Sequence, residues 1–128
     1  MLPGVGVAPM LCDPEHRTPN PRLAPLCGVA FLTTSAARAY VPLCHRYLGA
    51  PAQVSEGDLR EVLGPIVGAP TIAKVGHDLK YTEVALAQHG MPLAGAVMDT
   101  MLASYLLDPE AANTLAAVAD RDAGVKLT

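Results

Sequence analysis

Lys74-Val75-Gly76-His77-Asp78-Leu79-Lys80-Tyr81-Thr82 is the stretch on which the reading of this chain turns. The apolar run Ile72 to Val75 meets a glycine, then polar residues, then a helical pattern from Asp78 to His89. That order marks a strand handing over to a helix. Asp78 suits the N-cap position, where a side-chain oxygen satisfies an unpaired backbone N–H. Gly90, with Pro92 just beyond it, closes the helix. Lys74 and Lys80 flank the turn, as phosphate contacts or as solvated surface.

Downstream, Ala94 to Met98 is another short strand. Asp99 then caps a helix with Met101, Leu102, Tyr105 and Leu106 on one face, ended by Asp108-Pro109. A last helix runs from about Ala112 to Asp122, and Gly124 stops it. Upstream, Ser55 is an N-cap with Glu56 and Asp58 in the first turn, where the helix dipole favours negative charge. Leu59, Val62, Leu63, Ile66 and Val67 then follow helical spacing. Pro65 lies inside that helix and should cost about 3 kcal/mol, so a kink or break is expected. Before it, Cys27 to Thr33 and Ala37 to Leu43 are strands joined by the short link Thr34-Ser35-Ala36, which makes them an antiparallel hairpin.

Residues 1–25 hold six prolines and two glycines. The strand candidate there, Val5 to Cys12, is demoted by Pro9. The expected organisation is a Pro/Gly-rich segment over 1–25 and one domain over 26–128. Strands alternating with helices give an α/β fold with a mixed sheet, antiparallel first and parallel after the crossover helix.

With 128 residues the chain can enclose one hydrophobic core. Half of it is apolar and 16% is charged, which excludes disorder. No apolar run reaches the ~20 residues that span a bilayer. Met1 to Met10 lacks the pattern of a signal peptide, so a cytoplasmic protein with no membrane partner is expected. Cys12, Cys27 and Cys44 show no metal-ligand spacing, and their odd number argues against a disulfide framework. A net charge of −3 is unlike a domain that grips duplex DNA, but suits one that holds a strand end through metal ions. His45, His77 and His89 form no zinc motif, and there is no phosphate-cradling loop.

The opening stretch resembles the second exonuclease motif of the bacterial DNA polymerase I family, K-V-G-(Q/H)-(N/D)-x-K-Y-D. The later stretch Asp99-Thr100-Met101-Leu102-Ala103-Ser104-Tyr105-Leu106-Leu107 resembles the family's D-T-M-L-x-S-Y-(I/L)-L at the family's spacing. The match extends more loosely from about Leu26 to Ala119. It implies a ribonuclease-H-like fold, incomplete in this chain. The implied activity is metal-dependent removal of 3′-terminal nucleotides from DNA, in a protein that also carries a polymerase domain.

That chemistry uses two divalent ions, Mg²⁺ or Mn²⁺, about 4 Å apart and held by carboxylates. By the resemblance, Asp13-Pro14-Glu15 stands where a D-x-E pair holds metal. Alternate residues of a strand share a face, so Asp13 and Glu15 can share an ion. Pro14 favours instead an acidic loop. Asp78 falls on the family's Asn/Asp position near the metal site and also reads as a cap. Lys80 and Tyr81 fall on substrate-side positions, and Tyr81 equally suits a core. Asp99 reads most simply as a cap. Two departures count against activity. Thr82 replaces the Asp that bridges the metals, and no Y-x-x-x-D third motif follows before Thr128. The expectation is an impaired or inactive exonuclease domain. The alternative is a catalytically silent scaffold that packs against a polymerase domain.

Overall fold

The computed structural model describes residues 4–12, 19–33, 35–45 and 47–127. Five strands form one mixed sheet: β1 (Val5–Leu11), β2 (Leu26–Leu32), β3 (Arg38–Pro42), β4 (Lys74–Gly76) and β5 (Ala96–Asp99). Their order across the sheet is β3-β2-β1-β4-β5. β2 pairs antiparallel with both β1 and β3, whereas β4 runs parallel to β1 and β5. Four helices complete the fold: α1 (Glu56–Val67), α2 (Leu79–Gln88), α3 (Thr100–Leu107) and α4 (Leu115–Ala123). The hairpin, the crossover helix and the two later strands stand where the pattern of apolar runs and caps put them.

β1 departs from expectation, because it occupies the middle of the sheet despite Pro9. Pro9 stands opposite Val29 of β2, whereas the ladder to β4 involves Val5 and Gly6. Proline therefore lies in a stretch of β1 paired on one side, where a missing N–H is tolerated. Val7 and Leu11 of this strand are core residues.

α1 starts at the expected cap, with Ser55 Oγ accepting from Asp58 N–H at 3.1 Å. It runs unbroken through Pro65. Leu59, Leu63 and Val67 are buried, one residue per turn, while Val62 is 71% exposed. The buried stripe is thus narrower than the apolar pattern. α2 buries Leu79, Thr82, Ala85 and Leu86 against the sheet. His89 pairs with Glu56, and Arg60 Nε–H donates to His89 O at 2.8 Å, so the end of α2 is tied to α1. The core joins Val7, Leu11, Leu26 and Val29 to the inner faces of α1 and α2 and to Met91.

α3 is different. Ser104 is its buried residue, while Leu106 and Leu107 are 80% and 84% exposed and Leu102 and Tyr105 also face outward. Contiguous apolar surface of this kind promotes association. Replacing Leu106 with Glu and Leu107 with Lys is expected to raise the monomer fraction in sedimentation. Unfolding free energy should stay within about 0.5 kcal/mol, as for surface changes generally. A loss of several times that amount would mean the two leucines are packed.

Candidate active site

β4 and β5 run parallel, so their carboxyl ends lie at one edge of the sheet, where ligands bind in open α/β folds. At that edge β4 leads into α2 and β5 into α3, which brings two helix N-termini together. Gly76 makes the first turn possible: a Cβ there would lie 2.6 Å from Leu79 Cδ2. Asp78 then adopts the left-handed conformation, φ 60°, and its carboxylate accepts from Tyr81 N–H at 3.2 Å. Asn and Asp are the non-glycine residues that best tolerate this conformation and also cap helices. The pairing of Asn and Asp at this position in the motif therefore has a backbone cause.

Asp99 holds the edge together. Its Oδ1 accepts from Met101 N–H at 2.9 Å and Leu102 N–H at 3.4 Å, which caps α3 as expected. The same carboxylate also takes Asp78 N–H at 3.0 Å and Leu79 N–H at 2.8 Å from the start of α2. Burial by itself would raise its pKa. The four backbone N–H bonds together outweigh burial and leave the carboxyl below its ordinary value.

His77 braces the same edge. Its Nε2 meets Asn113 O at 2.8 Å and its Nδ1 meets Thr100 Oγ1 at 2.8 Å. A carbonyl only accepts, so Nε2 carries a proton. Thr100 Oγ1 is also 3.2 Å from Gly76 O. Asn113 Oδ1 accepts from Ser104 Oγ at 2.7 Å, and Ser104 in turn accepts from Arg121 Nη2 at 2.7 Å. The imidazole is a structural link between β4, α3 and the segment before α4.

Of the other sequence candidates, Lys80 is exposed on the first turn of α2. Tyr81 is half-buried and packs against the core. Thr82 is 3% exposed, on the face of α2 that packs on β1. Asp13, Pro14 and Glu15 lie outside the described residues. Lys74 is neither a phosphate contact nor solvated surface. It is 1% exposed, its Nζ donates to Ala69 O at 2.6 Å, and burial lowers its pKa. Sequence reasoning missed the second half of the Asp99 cap and the His77 brace. Both join residues twenty or more positions apart.

A family model described as "DNA polymerase I, ribonuclease H-like domain" matches residues 18–127. This chain belongs to that family. The membership and the ribonuclease-H-like sheet expected from the two motifs are both borne out. DNA polymerase I of Pseudomonas aeruginosa is 38% identical over 101 residues, 77% of this chain. The chain spans 11% of the length of the curated relatives it matches. Among solved structures, Pol1 from M. smegmatis, in complex with DNA primer-template and dNTP, superimposes with a TM-score of 0.71 at 24% identity. That match covers 98% of this chain and 19% of the other. Brucella melitensis NrnC with bound Mg²⁺ gives 0.70 at 12% identity, covering 99% of this chain and 56% of the other. These two likenesses speak for the fold. No helix among the described residues is long and apolar enough to cross a membrane.

The double cap has a measurable consequence. Asp99→Ala should cost roughly 1–2 kcal/mol for each helix it uncaps. Because the folded-state pKa is depressed, the stabilisation is complete above the ordinary Asp value of 3.8 and drains as pH falls through the folded value. Urea unfolding between about pH 7 and pH 3 should therefore show a steeper acid loss for the parent than for Asp99→Asn. Equal acid slopes would mean that the carboxylate does not hold these N–H groups as an anion.

Proposed function

We propose that this chain is a polymerase-associated 3′–5′ exonuclease domain in which hydrolysis is impaired. Family membership supports the activity class: metal-dependent release of the 3′-terminal nucleotide from single-stranded DNA, with a polymerase domain in the full-length protein supplying that end. One observation carries the impairment. Every described carboxylate at the site already serves as a helix cap, and Thr82 stands buried where the resemblance requires a metal-bridging Asp.

Two-ion hydrolysis needs hard oxygen donors around both ions. Asp99 is committed to four backbone N–H groups and Asp78 to Tyr81 N–H. Thr82 is neutral and buried. Among the described residues this donor set does not fit a pair of Mg²⁺ or Mn²⁺ ions. Asp13 and Glu15, which follow β1 in the sequence and lie outside the described residues, remain the proposed metal carboxylates. Asp78 acts in this reading as a positioning residue for the turn. Lys80 supplies an exposed cation for a phosphate, and the half-buried Tyr81 borders the strand end.

A second reading, a silent scaffold docked on a polymerase domain, is favoured by the outward apolar face of α3. The two readings differ in residual metal chemistry. Thr82→Asp places a carboxylate in the core side of α2, so it should destabilise the metal-free chain and recover stability with Mn²⁺. Calorimetric titration should show tighter Mn²⁺ binding by Thr82→Asp than by the parent. That gain should disappear in the double variant with Asp13→Ala. The parent should degrade a single-stranded DNA 3′ end no faster than a heat-denatured control. Brisk Mg²⁺-dependent degradation by the parent, unaffected by Asp13→Ala, would overturn the site assignment. Absence of any Mn²⁺ gain in Thr82→Asp would favour the scaffold.

A further inference from the structure

Cys12, Cys27 and Cys44 are far apart in sequence, yet the fold gathers them at one end of the sheet. Their Sγ atoms all lie within 4.8 Å of one another, and Cys12 Sγ is 3.2 Å from Cys44 Sγ. Each comes from a different strand end: the exit of β1, the start of β2 and the segment after β3. None is in a disulfide. We propose that these three cysteines form a thiolate site for one thiophilic d¹⁰ cation, Zn²⁺ or Cu⁺.

The backbone builds the site. Pairing of β1 with β2 is regular until Met10 faces Gly28, and then Leu11 faces Leu26, which leaves Cys27 without a partner in the ladder. Such a bulge re-aims the side chain it carries. Cys27 O accepts from Leu43 N–H at 2.8 Å and from Cys44 N–H at 3.4 Å, which fixes the segment after β3 beside it. Cys12 N–H donates to Pro25 O at 2.8 Å and fixes the third member. Gly28 keeps the neighbouring space narrow: a Cβ there would lie 2.3 Å from Tyr40 Oη.

Three sulfurs bound at roughly 2.3 Å around one ion lie about 3.8–4.0 Å apart, between the 3.2 Å of the Cys12–Cys44 pair and the 4.8 Å that bounds all three here. Soft thiolates select Zn²⁺ or Cu⁺ over Mg²⁺ or Mn²⁺. A disulfide would use two of the three cysteines, whereas one cation uses all of them. Burial, the largest influence, holds Cys12 and Cys27 above the ordinary thiol range, while the hydrogen bonds among the three thiols act in both directions. Three thiolates this close repel one another, and a cation between them removes that repulsion. On binding, each thiol passes its proton to solvent and each sulfur donates a lone pair to the ion, with no oxidation. Cys44 is exposed, so solvent reaches a fourth position on Zn²⁺. Cu⁺ is complete with three sulfurs. The site would pin together the ends of three strands, and it does not depend on the nuclease reading above.

The test uses the whole 128-residue chain, reduced with a phosphine that is then removed, with metal added under anaerobic conditions. Co²⁺ serves as the spectroscopic stand-in for Zn²⁺, and Cu⁺ is supplied through a chromophoric chelator. The expected result is one ion per chain, with a sulfur-to-cobalt charge-transfer band in the near ultraviolet and a higher unfolding temperature with Zn²⁺. Loading should also protect three thiols per chain from an aromatic disulfide reagent, a readout that needs no variant. Cys27→Ser should weaken binding by more than roughly tenfold, because a lost ligand costs at least what a lost outer-shell partner does, about 10–100-fold. Tight binding of Cu⁺ without Zn²⁺ would assign a trigonal copper site, and the reverse a zinc site. Binding unchanged in Cys27→Ser, or no thiol protection by either metal in the parent, would overturn the proposal.

Discussion

The carboxylate of Asp99 sits between the N-termini of two helices, and the carboxyl edge of the sheet depends on it. Each N-terminus carries unpaired N–H groups and a partial positive charge. Placed side by side without an anion, they would repel each other and leave several donors unsatisfied. Asp99 answers two donors from α2 and two from α3 with one charge. This gives a physical reason for the two stretches to stand at the spacing they have in this chain. The first supplies the turn that presents Asp78 N–H and Leu79 N–H, and the second supplies the acid that receives them. His77 repeats the connection a few ångströms away through Thr100 and Asn113.

The same economy limits the chemistry. A carboxylate that accepts four N–H bonds has little left for a cation, and one held in a left-handed cap cannot turn away without releasing its helix. The charged groups most visible in the motifs are therefore parts of the frame. In the proposed reading, metal chemistry would fall to residues that do not hold the backbone: the position of Thr82 on the inner face of α2 and the acids that follow β1 in sequence. Thr82 fits its present surroundings well, buried in line with Leu79 and Leu86 on the helix face that packs on the sheet. A threonine there favours a dry helix–sheet contact over an ion.

Much of this was legible in the chain because the signals are local. Ser55, Asp78 and Asp99 cap the helices that their positions announce, and Gly90 and Gly124 take the positive φ that helix ends ask for. What was not legible depends on distant partners. Pro9 reads as a strand breaker until the one-sided pairing of its stretch is known. Lys74 reads as a surface charge until the carbonyl of Ala69 is found beneath it. The last helix begins at Leu115, three residues later than its apolar pattern suggested, because Asn113 is drawn into the link with His77 and Ser104 and Thr114 becomes the cap. The cysteines have no motif spacing because a β-sheet, not a loop, brings them together.

The end of β1 is where these threads meet. Cys12 and Asp13 are consecutive in the sequence, so a soft donor and a hard one follow β1 directly. Thiolates and carboxylates sort metals by softness: the thiolates would draw Zn²⁺ or Cu⁺ and leave Mg²⁺ to oxygen donors. An ion held by Cys12, Cys27 and Cys44 would fix the exit of β1 through covalent-strength contacts to β2 and to the segment after β3. The backbone that leads to Asp13 and Glu15 would then start from a rigid point. In the proposed reading, where α2 offers Thr82 rather than an acid, that exit would have the larger share in deciding whether a hard cation binds.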